Sequence, residues 1–332
     1  MMGFPRTMNS WSIGVDLGGT NLRIAAVTQH SEAIDTIYLP TRLDAGPHAV
    51  LNDMAGAIRR LIEKHEGHLV GIGVGSPGPI ELPLGVLHHP PNLPGFDGLN
   101  LRMELEHRLD HPVQVGHDAA LAAYGECLLG TGRDCGVNSL LMLTLGTGVG
   151  CGIVLDGRIW NGMKGAAGES GHGPIFPDGI PCPCGARGCL EMYASATAIV
   201  RMAVELGIPA TVTASAVAEL AGSGDERALR VFDQVGQALG LSLAHLVNAL
   251  DLPLYVIGGG AAAAWPLFAP RMFSTLREGS YVYRMSMPRD PNIFEPGKTH
   301  IAPARLADAG LLGAALLPVA ARSVARQSQD GV

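Results

Sequence analysis

One short run of the chain contains a histidine and three cysteines, bracketed by Glu169 and Glu191. The candidate ligands are His172, Cys182, Cys184 and Cys189. One imidazole and three thiolates form a donor set that closes a tetrahedral structural zinc site. The two glutamates are not needed to complete four ligands. The spacing therefore predicts a structural zinc ion, with two spare acids that are free for another task.

A disulfide or redox role is the alternative for these cysteines. Cys182 and Cys184 are separated by one residue, a spacing at which a disulfide is strained. We also expect an intracellular chain, whose thiols would stay reduced. Both points favour zinc. The other cysteines lie at no ligand-like spacing and are predicted to be small buried residues, namely Cys127, Cys135 and Cys151.

Three glycine-rich turns are candidates for nucleotide binding. They are Gly18-Gly19-Thr20, Gly146-Thr147-Gly148 and Gly258-Gly259-Gly260. Glycines leave backbone N–H groups open to a guest, and phosphate oxygens are natural ligands for such groups. The first two turns join strands, unlike the dinucleotide fingerprint that opens a helix, and the sequence has no Walker Gly-Lys-Ser/Thr. Three such turns are enough to bind a nucleotide, two at its phosphates and one at its base, so the sequence predicts a nucleotide site.

The first turn is flanked by two charged residues, Asp16 and Arg23. Asp16 has no basic partner close to it in the sequence, so we expect its carboxylate to hold Mg²⁺ through water, as hard cations with phosphates are usually held. A simple turn-forming aspartate is the alternative.

Composition limits the classes of function that these residues can serve. The chain has 332 residues, enough for two domains of ordinary size, and a formal net charge of −7. The acidic balance and the lack of a Lys/Arg cluster argue against a nucleic-acid partner. Every apolar run is broken well before the length of a membrane span, and the first ten residues do not resemble a signal peptide. We therefore expect a cytoplasmic protein without membrane or nucleic-acid partners.

The elements that must position the candidate residues form two similar α/β halves. Strands are predicted at 12–16, 22–27, 34–39, 70–74, 112–115, 139–145, 150–155 and 253–257. Helices are predicted at 47–65, 99–109, 118–129, 193–206, 214–221 and 226–250, and within 307–324, whereas 82–97 is too irregular for an element. Each half opens with a glycine hairpin, which suggests a cleft between them.

The motifs resemble those of the ROK family, in the family's order, from about Ser12 to Leu317. The motifs are Asp-x-Gly-Gly-Thr at 16–20, Ser-Pro-Gly-Pro at 76–79, Asn-Leu-Pro-Gly at 92–95, Leu-Gly-Thr-Gly at 145–148, the segment 169–191 with the predicted zinc ligands (the zinc run), and the triple glycine at 258–260. The resemblance implies an α/β, two-domain actin-like ATPase fold, a duplicated ribonuclease-H-like fold with an interdomain cleft. It implies an N-terminal domain at 1–117 and a larger C-terminal domain at 118–306 containing the zinc-binding insertion 169–191. The helix at about 307–325 can pack back on the first domain.

The same resemblance assigns roles to individual residues. Asp118, at the start of a helix, would be the general base that takes a proton from a sugar hydroxyl, although its local sequence also fits an N-cap. The residues expected at the sugar are Gly78, Asn92, His117, Asp118, Glu169, His172 and Glu191. The residues expected at the nucleotide are Asp16, Gly18, Gly19, Thr20, Arg23, Thr147, Gly148, Gly258, Gly259 and Gly260.

Two positions depart from the family pattern. His117 stands where the family usually has an asparagine before the catalytic aspartate, and Phe96 stands where a tryptophan is common. The imidazole is larger than an amide, and its charge varies near neutral pH. The departure leaves the reaction type intact and bears on which sugar is bound.

ROK members are sugar kinases or sugar-responsive repressors. Only fifteen residues precede Asp16, so we expect no DNA-binding domain. The resemblance implies an ATP-dependent sugar kinase that uses Mg²⁺ and a structural Zn²⁺, acts on a small-molecule sugar and forms a homodimer. We expect glucose as the substrate, phosphorylated at its 6-hydroxyl, as by a glucokinase. Fructose, allose, mannose and N-acetylhexosamines are the alternative sugars, and a non-catalytic sugar sensor is the alternative function.

Overall fold

The computed structural model describes residues 9–329, with side chains described up to residue 322. The strands are β1 Ser10–Leu17, β2 Asn21–Thr28, β3 Ala33–Pro40, β4 His68–Ser76, β5 Ile80–Glu81, β6 Val86–Leu87, β7 Val113–His117, β8 Leu140–Leu145, β9 Val149–Leu155, β10 Arg158–Ile159, β11 Leu254–Gly258 and β12 His300–Pro303. The helices are α1 Pro47–Lys64, α2 Leu101–Leu109, α3 Asp118–Leu129, α4 Thr131–Cys135, α5 Glu191–Ala194, α6 Ala196–Glu205, α7 Ala214–Gly222, α8 Glu226–Leu250, α9 Trp265–Gly279, α10 Tyr281–Ser286 and α11 Ala309–Gln329.

The described chain divides into two compact units. The first unit comprises 9–130, 157–167 and 306–329, and the second comprises 131–156 and 168–305. Helix α3 belongs to the first unit, so these units divide after Gly130. The domain boundary that the resemblance implied, between 117 and 118, stays a prediction.

The sheet of the first unit begins with the predicted glycine hairpin. Its strand order is β3-β2-β1-β4-β7, with β1, β2 and β3 antiparallel and with β4 and β7 parallel to β1. Strand β1 is almost wholly buried because helices cover both faces of the sheet. Helix α1 presents its apolar side to that sheet, and Pro47 occupies its first turn as predicted. The sequence pattern therefore located these elements within a few residues.

Helix α11 closes the other face of this sheet and packs against α3. Gly73 of β4 lies against the carbonyl of Ala314, and Gly313 lies against the carbonyl of Leu121. A Cβ at either glycine would collide with backbone, so the close approach of the helix requires glycine at both positions. The terminal apolar helix is thus a packing element. No helix among residues 9–329 is long and apolar enough to cross a membrane.

The second unit contains its own sheet and a larger set of helices. Within this unit the strand order is β9-β8-β11-β12; β8 and β9 are antiparallel, and β11 is parallel to β8 and to β12. The long amphipathic helix α8 packs against α9 and buries Phe232 and Leu239 in the core. The strand, glycine turn, strand plan of the first unit is therefore repeated, as the sequence predicted.

Two predicted elements are corrected by the structure. The single helix expected at 193–206 is two helices, α5 and α6, because the Ser195 backbone is extended and its hydroxyl caps α6 by accepting from the Ala198 N–H at 3.0 Å. The segment 82–97, expected to contain no element, contains β6, which pairs antiparallel with β5. Both features are short, and short elements carry little periodicity.

Candidate active site

The first glycine turn is held by the residue that follows β3. Within the turn, the Gly18 N–H donates to the Asn21 carbonyl at 2.9 Å. The Thr41 hydroxyl donates to the Gly18 carbonyl at 2.7 Å, and the Thr41 N–H donates to the Thr20 carbonyl at 2.8 Å. Two carbonyls of the turn are therefore bonded within the protein, an arrangement that suits a turn whose N–H groups receive phosphate. Thr41 was not among the predicted site residues.

Asp16 has a basic partner, contrary to the expectation from local sequence. The hairpin register pairs Asp16 with Arg23, and the Arg23 Nε donates to Asp16 Oδ2 at 3.0 Å. Arg23 Nη2 also contacts Asp16 Oδ2, and Arg23 Nη1 donates to Asp308 Oδ1 at 2.7 Å. Burial raises the pKa of Asp16, and Arg23 opposes that rise. Asp16 is therefore an ion-paired carboxylate rather than a solvated one.

The predicted base Asp118 lies in the first turn of α3, directly after β7. The Ala119 N–H donates to Asp118 Oδ1 at 2.6 Å and to His117 Nδ1 at 3.3 Å. The N-cap residue is His117 rather than Asp118, which corrects the alternative drawn from local sequence. With a side chain that is 41% exposed, the Asp118 carboxylate is accessible and oriented by the backbone. That is the arrangement a general base requires.

Two predicted sugar residues of the first unit are neighbours. Gly78 lies against the His117 ring, where a Cβ would collide with the imidazole. The loop after β4 thus contacts the side chain that departs from the family pattern. Elsewhere in the unit, Gly19 of the first turn lies against the Asn92 backbone. The structure therefore joins a predicted nucleotide residue to a predicted sugar residue.

In the second unit the four predicted zinc ligands converge. One ligand atom from each of His172, Cys182, Cys184 and Cys189 lies within 4.8 Å of the others. His172 Nδ1 is 3.6 Å from the Cys182 sulfur, and the sulfurs of Cys184 and Cys189 are 3.7 Å apart, far beyond the roughly 2.05 Å of a disulfide. All six cysteines are free, with Cys127 and Cys151 buried as predicted and Cys135 only half-buried. The donor set and its convergence fit a zinc ion.

The electrostatics of the cluster differ from one thiol to the next. Burial raises the pKa of Cys182, and burial together with the neighbouring thiols raises the pKa of Cys189 to about 12. A hydrogen bond from the Ala186 N–H lowers the pKa of the Cys184 thiol. A cation at the cluster would favour the thiolate at all three positions.

The two acids that bracket the zinc run have different surroundings. Glu169 is exposed at the start of a 3-10 helix, 169–172, that also carries His172. Glu191 begins α5, and its Oε2 accepts the Val149 N–H at 2.9 Å. Glu191 also lies against Gly148, where a Cβ would collide with its carboxylate. Neither acid belongs to the ligand cluster, and one oxygen of Glu191 is used by the residue that follows the second glycine turn.

The second and third glycine turns lie together in the second unit. The Ala196 N–H donates to the Gly146 carbonyl, and the Thr197 hydroxyl donates to the Thr147 carbonyl, each at 2.8 Å. Gly259, at a φ of +84°, lies against the Leu145 backbone and leaves no room for a Cβ. The turn that starts at Gly258 is thus packed on the turn that follows β8, and both end strands of one sheet.

The two units therefore offer complementary chemistry. The first offers a glycine turn, an ion-paired aspartate and an oriented, accessible carboxylate. The second offers a metal-ligand cluster, a carboxylate bonded to a second turn, and a third turn packed on the second. Site residues that sequence reasoning missed are Thr41, Thr197 and Asp308.

Comparison with known proteins identifies the family. The ROK family model matches residues 12–320. A glucokinase of Halalkalibacterium halodurans is 39% identical over 76% of this chain and 81% of its own length, and an N-acetylmannosamine kinase of Yersinia pestis is 31% identical over 92% and 97%. The crystal structure of a ROK family glucokinase from Streptomyces griseus, in complex with glucose and AMPPNP, matches with a TM-score of 0.77 at 27% identity, over 92% of this chain and 98% of that one. These matches confirm the expected actin-like fold. The chain belongs to the ROK family.

Proposed function

We propose that this protein is a glucokinase, which transfers the γ-phosphoryl group of ATP to the 6-hydroxyl of glucose with Asp118 as general base. Membership of the ROK family and likeness to glucokinases support the ATP-dependent sugar kinase activity. The observation that carries the assignment of the base is the position of Asp118. Its carboxylate is accessible and is held by the Ala119 N–H at the start of α3.

The transfer needs little covalent chemistry from the protein. Asp118 accepts the proton of the sugar hydroxyl as the hydroxyl oxygen attacks the γ-phosphorus, and the bond to the β,γ-bridging oxygen breaks to release ADP. The N–H groups of the glycine turns would bind phosphate oxygens, and Asp16 would hold the divalent cation of the nucleotide through water. Mg²⁺, when bound, neutralises charge on the phosphates. The side chains of this chain therefore mainly position reactants and accept one proton.

The zinc cluster has a positioning role in this proposal. His172, Cys182, Cys184 and Cys189 would hold the ion, which would anchor the 3-10 helix at 169–172 that carries His172. Because His172 Nδ1 faces the cluster, its Nε2 is left for a sugar hydroxyl. Glu169 and the second oxygen of Glu191 accept further hydroxyl hydrogen bonds. Carboxylates suit this task because each can accept two such bonds.

The identity of the sugar depends on residues around His117. Likeness to a glucokinase favours glucose, whereas likeness to an N-acetylmannosamine kinase supports an N-acetylhexosamine as the alternative. His117 has its Nδ1 near the Ala119 N–H, so its Nε2 is the ring atom left for a ligand. That atom lies beside Gly78. The wall formed by these two residues is the part of the pocket where a different sugar would be selected.

A coupled assay of ADP release with a panel of sugars tests this function. The panel holds glucose, mannose, fructose, allose, N-acetylglucosamine and N-acetylmannosamine, each with MgATP and zinc-replete protein. We expect the highest kcat/KM with glucose. A higher value with an N-acetylhexosamine would replace the proposed substrate. No sugar-dependent ADP release from any of them would favour the non-catalytic sensor.

We infer a homodimer, the domain division at 117/118 and the insertion 169–191 from the family resemblance. We infer a cytoplasmic location from the apolar runs of the sequence, each of which is too short to span a membrane. Light scattering coupled to gel filtration measures the oligomeric state directly. A monomer at micromolar concentration would contradict the inferred dimer.

A further inference from the structure

A second carboxylate, that of Asp308, bonds Arg23 at the charged end of the first glycine hairpin. Arg23 bonds Asp16 through Nε at 3.0 Å and Asp308 through Nη1 at 2.7 Å. The side chains of Asp16, Arg23 and Asp308 are 18%, 32% and 43% exposed, so the network runs from the interior towards the surface. One guanidinium is therefore shared by two carboxylates that are 292 positions apart in sequence.

The backbone that leads to Asp308 is fixed by a buried acid. Glu126, on α3, is fully buried, and its Oε1 accepts the Leu306 N–H at 2.7 Å. Asp308 lies two residues further on, directly before α11. Helix α3 also begins at Asp118. The helix that carries the proposed base therefore also sets the position of Asp308.

The way Arg23 is shared determines what Asp16 has left to offer. Both contacts from Arg23 to Asp16 go to Oδ2, so Oδ1 is not used by Arg23. A guanidinium bound to a single carboxylate tends towards a two-oxygen fork. With Nη1 bonded to Asp308, Arg23 instead directs both Nε and Nη2 to the single oxygen Oδ2 of Asp16. The trio also keeps a net charge of −1, which attracts a cation.

We propose that Asp308 is a positioning residue for phosphoryl transfer, which holds Arg23 so that Asp16 keeps one carboxylate oxygen for the divalent cation of the nucleotide. The inference rests on the proposed kinase function. It predicts that loss of the Asp308 charge lets Arg23 turn fully onto Asp16 and weakens the cation site. Asp308 itself would contact neither sugar nor phosphate.

The test is Mn²⁺ binding, measured by electron paramagnetic resonance in the presence of a non-hydrolysable ATP analogue. We expect Asp308→Asn to weaken Mn²⁺ affinity about tenfold, equivalent to about 1.4 kcal/mol, and to leave the KM for sugar within about twofold of wild type. Asp308→Glu should restore most of the affinity. The control is Asp53→Asn, which removes another aspartate paired with an arginine, Arg42, at 2.8 and 2.9 Å in the same unit. This control should not change Mn²⁺ binding.

A double-mutant cycle shows whether Asp308 acts through Arg23. In an Arg23→Gln background, Asp308→Asn should cause no further loss of Mn²⁺ affinity, because the shared guanidinium is already gone. Unchanged Mn²⁺ affinity in Asp308→Asn, or an equal loss in both backgrounds, would overturn the inference. The proposed function fails on a different result, namely no sugar-dependent ADP release from the wild-type protein.

Discussion

The two glycine hairpins of this protein share a backbone device and differ in the side chains attached to it. In each, a threonine hydroxyl donates to a turn carbonyl, from Thr41 to Gly18 in the first unit and from Thr197 to Thr147 in the second. The first hairpin ends in an aspartate paired with arginine. In the second hairpin, the Val149 N–H donates to the carboxylate of Glu191, which lies at the end of the zinc run.

This difference indicates how a duplicated framework divides its work. In the first unit, the charged side chains of Asp16, Arg23 and Asp308 lie beside the glycine turn. The first turn is therefore suited to a cation and phosphates. In the second unit the turn is joined to an acid proposed to bind sugar, and the zinc cluster lies in the same unit. We therefore propose that proton transfer and cation binding belong to the first unit and that the zinc-positioned sugar contacts belong to the second, whereas His117 of the first unit helps to select the sugar. The following experiments test that division.

The largest effect is expected at Asp118. Asp118→Asn removes the proton acceptor and keeps the size of the side chain, so kcat should fall by about 10² to 10⁴ while nucleotide affinity is retained. Steady-state kinetics and calorimetry with an ATP analogue measure the two quantities. The paired variant is Glu191→Gln, for which the KM of sugar should rise more than kcat falls. A loss of kcat in Glu191→Gln as large as that in Asp118→Asn would contradict the proposed division of roles between the two units.

Loss of zinc should affect the second unit alone. Cys184→Ser removes one of four ligands, so bound zinc should fall to well below one equivalent by mass spectrometry, and the KM for sugar should rise by about 10- to 100-fold. The control is Cys135→Ser, since Cys135 lies outside the cluster. Mn²⁺ binding with an ATP analogue should not change, because the proposed cation site lies at Asp16 in the first unit. Undiminished zinc in Cys184→Ser would contradict the ligand assignment.

Gly148→Ala tests the contact between the second turn and Glu191. The added methyl group would collide with the Glu191 carboxylate and displace it, with an expected rise of roughly tenfold in the KM for sugar, equivalent to about 1.4 kcal/mol. Gly222→Ala, in a helix with open space around it, is the matched control. An unchanged KM for sugar in Gly148→Ala would indicate that the position of Glu191 is unimportant to binding.

The smallest effects are expected from the two threonines. Replacement by valine keeps the shape and removes one hydrogen bond to a turn carbonyl, which costs about 1 kcal/mol, or about fivefold in the KM for MgATP. Thr41→Val should exceed Thr197→Val, because Thr41 is buried and Thr197 is exposed. The reverse order would show that the second turn depends more on its hydroxyl than the first does.

Local patterns predicted those parts of the site that one stretch of sequence determines. Alternating apolar residues around Gly18 predicted the first hairpin, and helical spacing after Pro47 predicted α1. Four ligand-type residues within eighteen positions predicted the cluster that contains His172. In each case the residues that must meet are close in sequence, and the turn chemistry leaves few alternatives.

Partners that are distant in sequence could not be predicted in this way. The bond from Arg23 to Asp308 joins residues 285 positions apart, and that from Val149 to Glu191 spans 42. These contacts depend on how helices pack on sheets. The pairing of Asp16 with Arg23 is different, because counting outward from the turn places them opposite each other. That signal was present in the sequence.

The first unit is assembled from three separate stretches of the chain, and its covering helix α11 is the last described element. During synthesis, β1 and β4 therefore emerge long before the helix that packs on them. The residues of the second unit are all made before α11 is complete. The apolar sheet face that α11 covers is therefore without that helix for most of translation, and an uncovered apolar face is a site for aggregation and for chaperone binding.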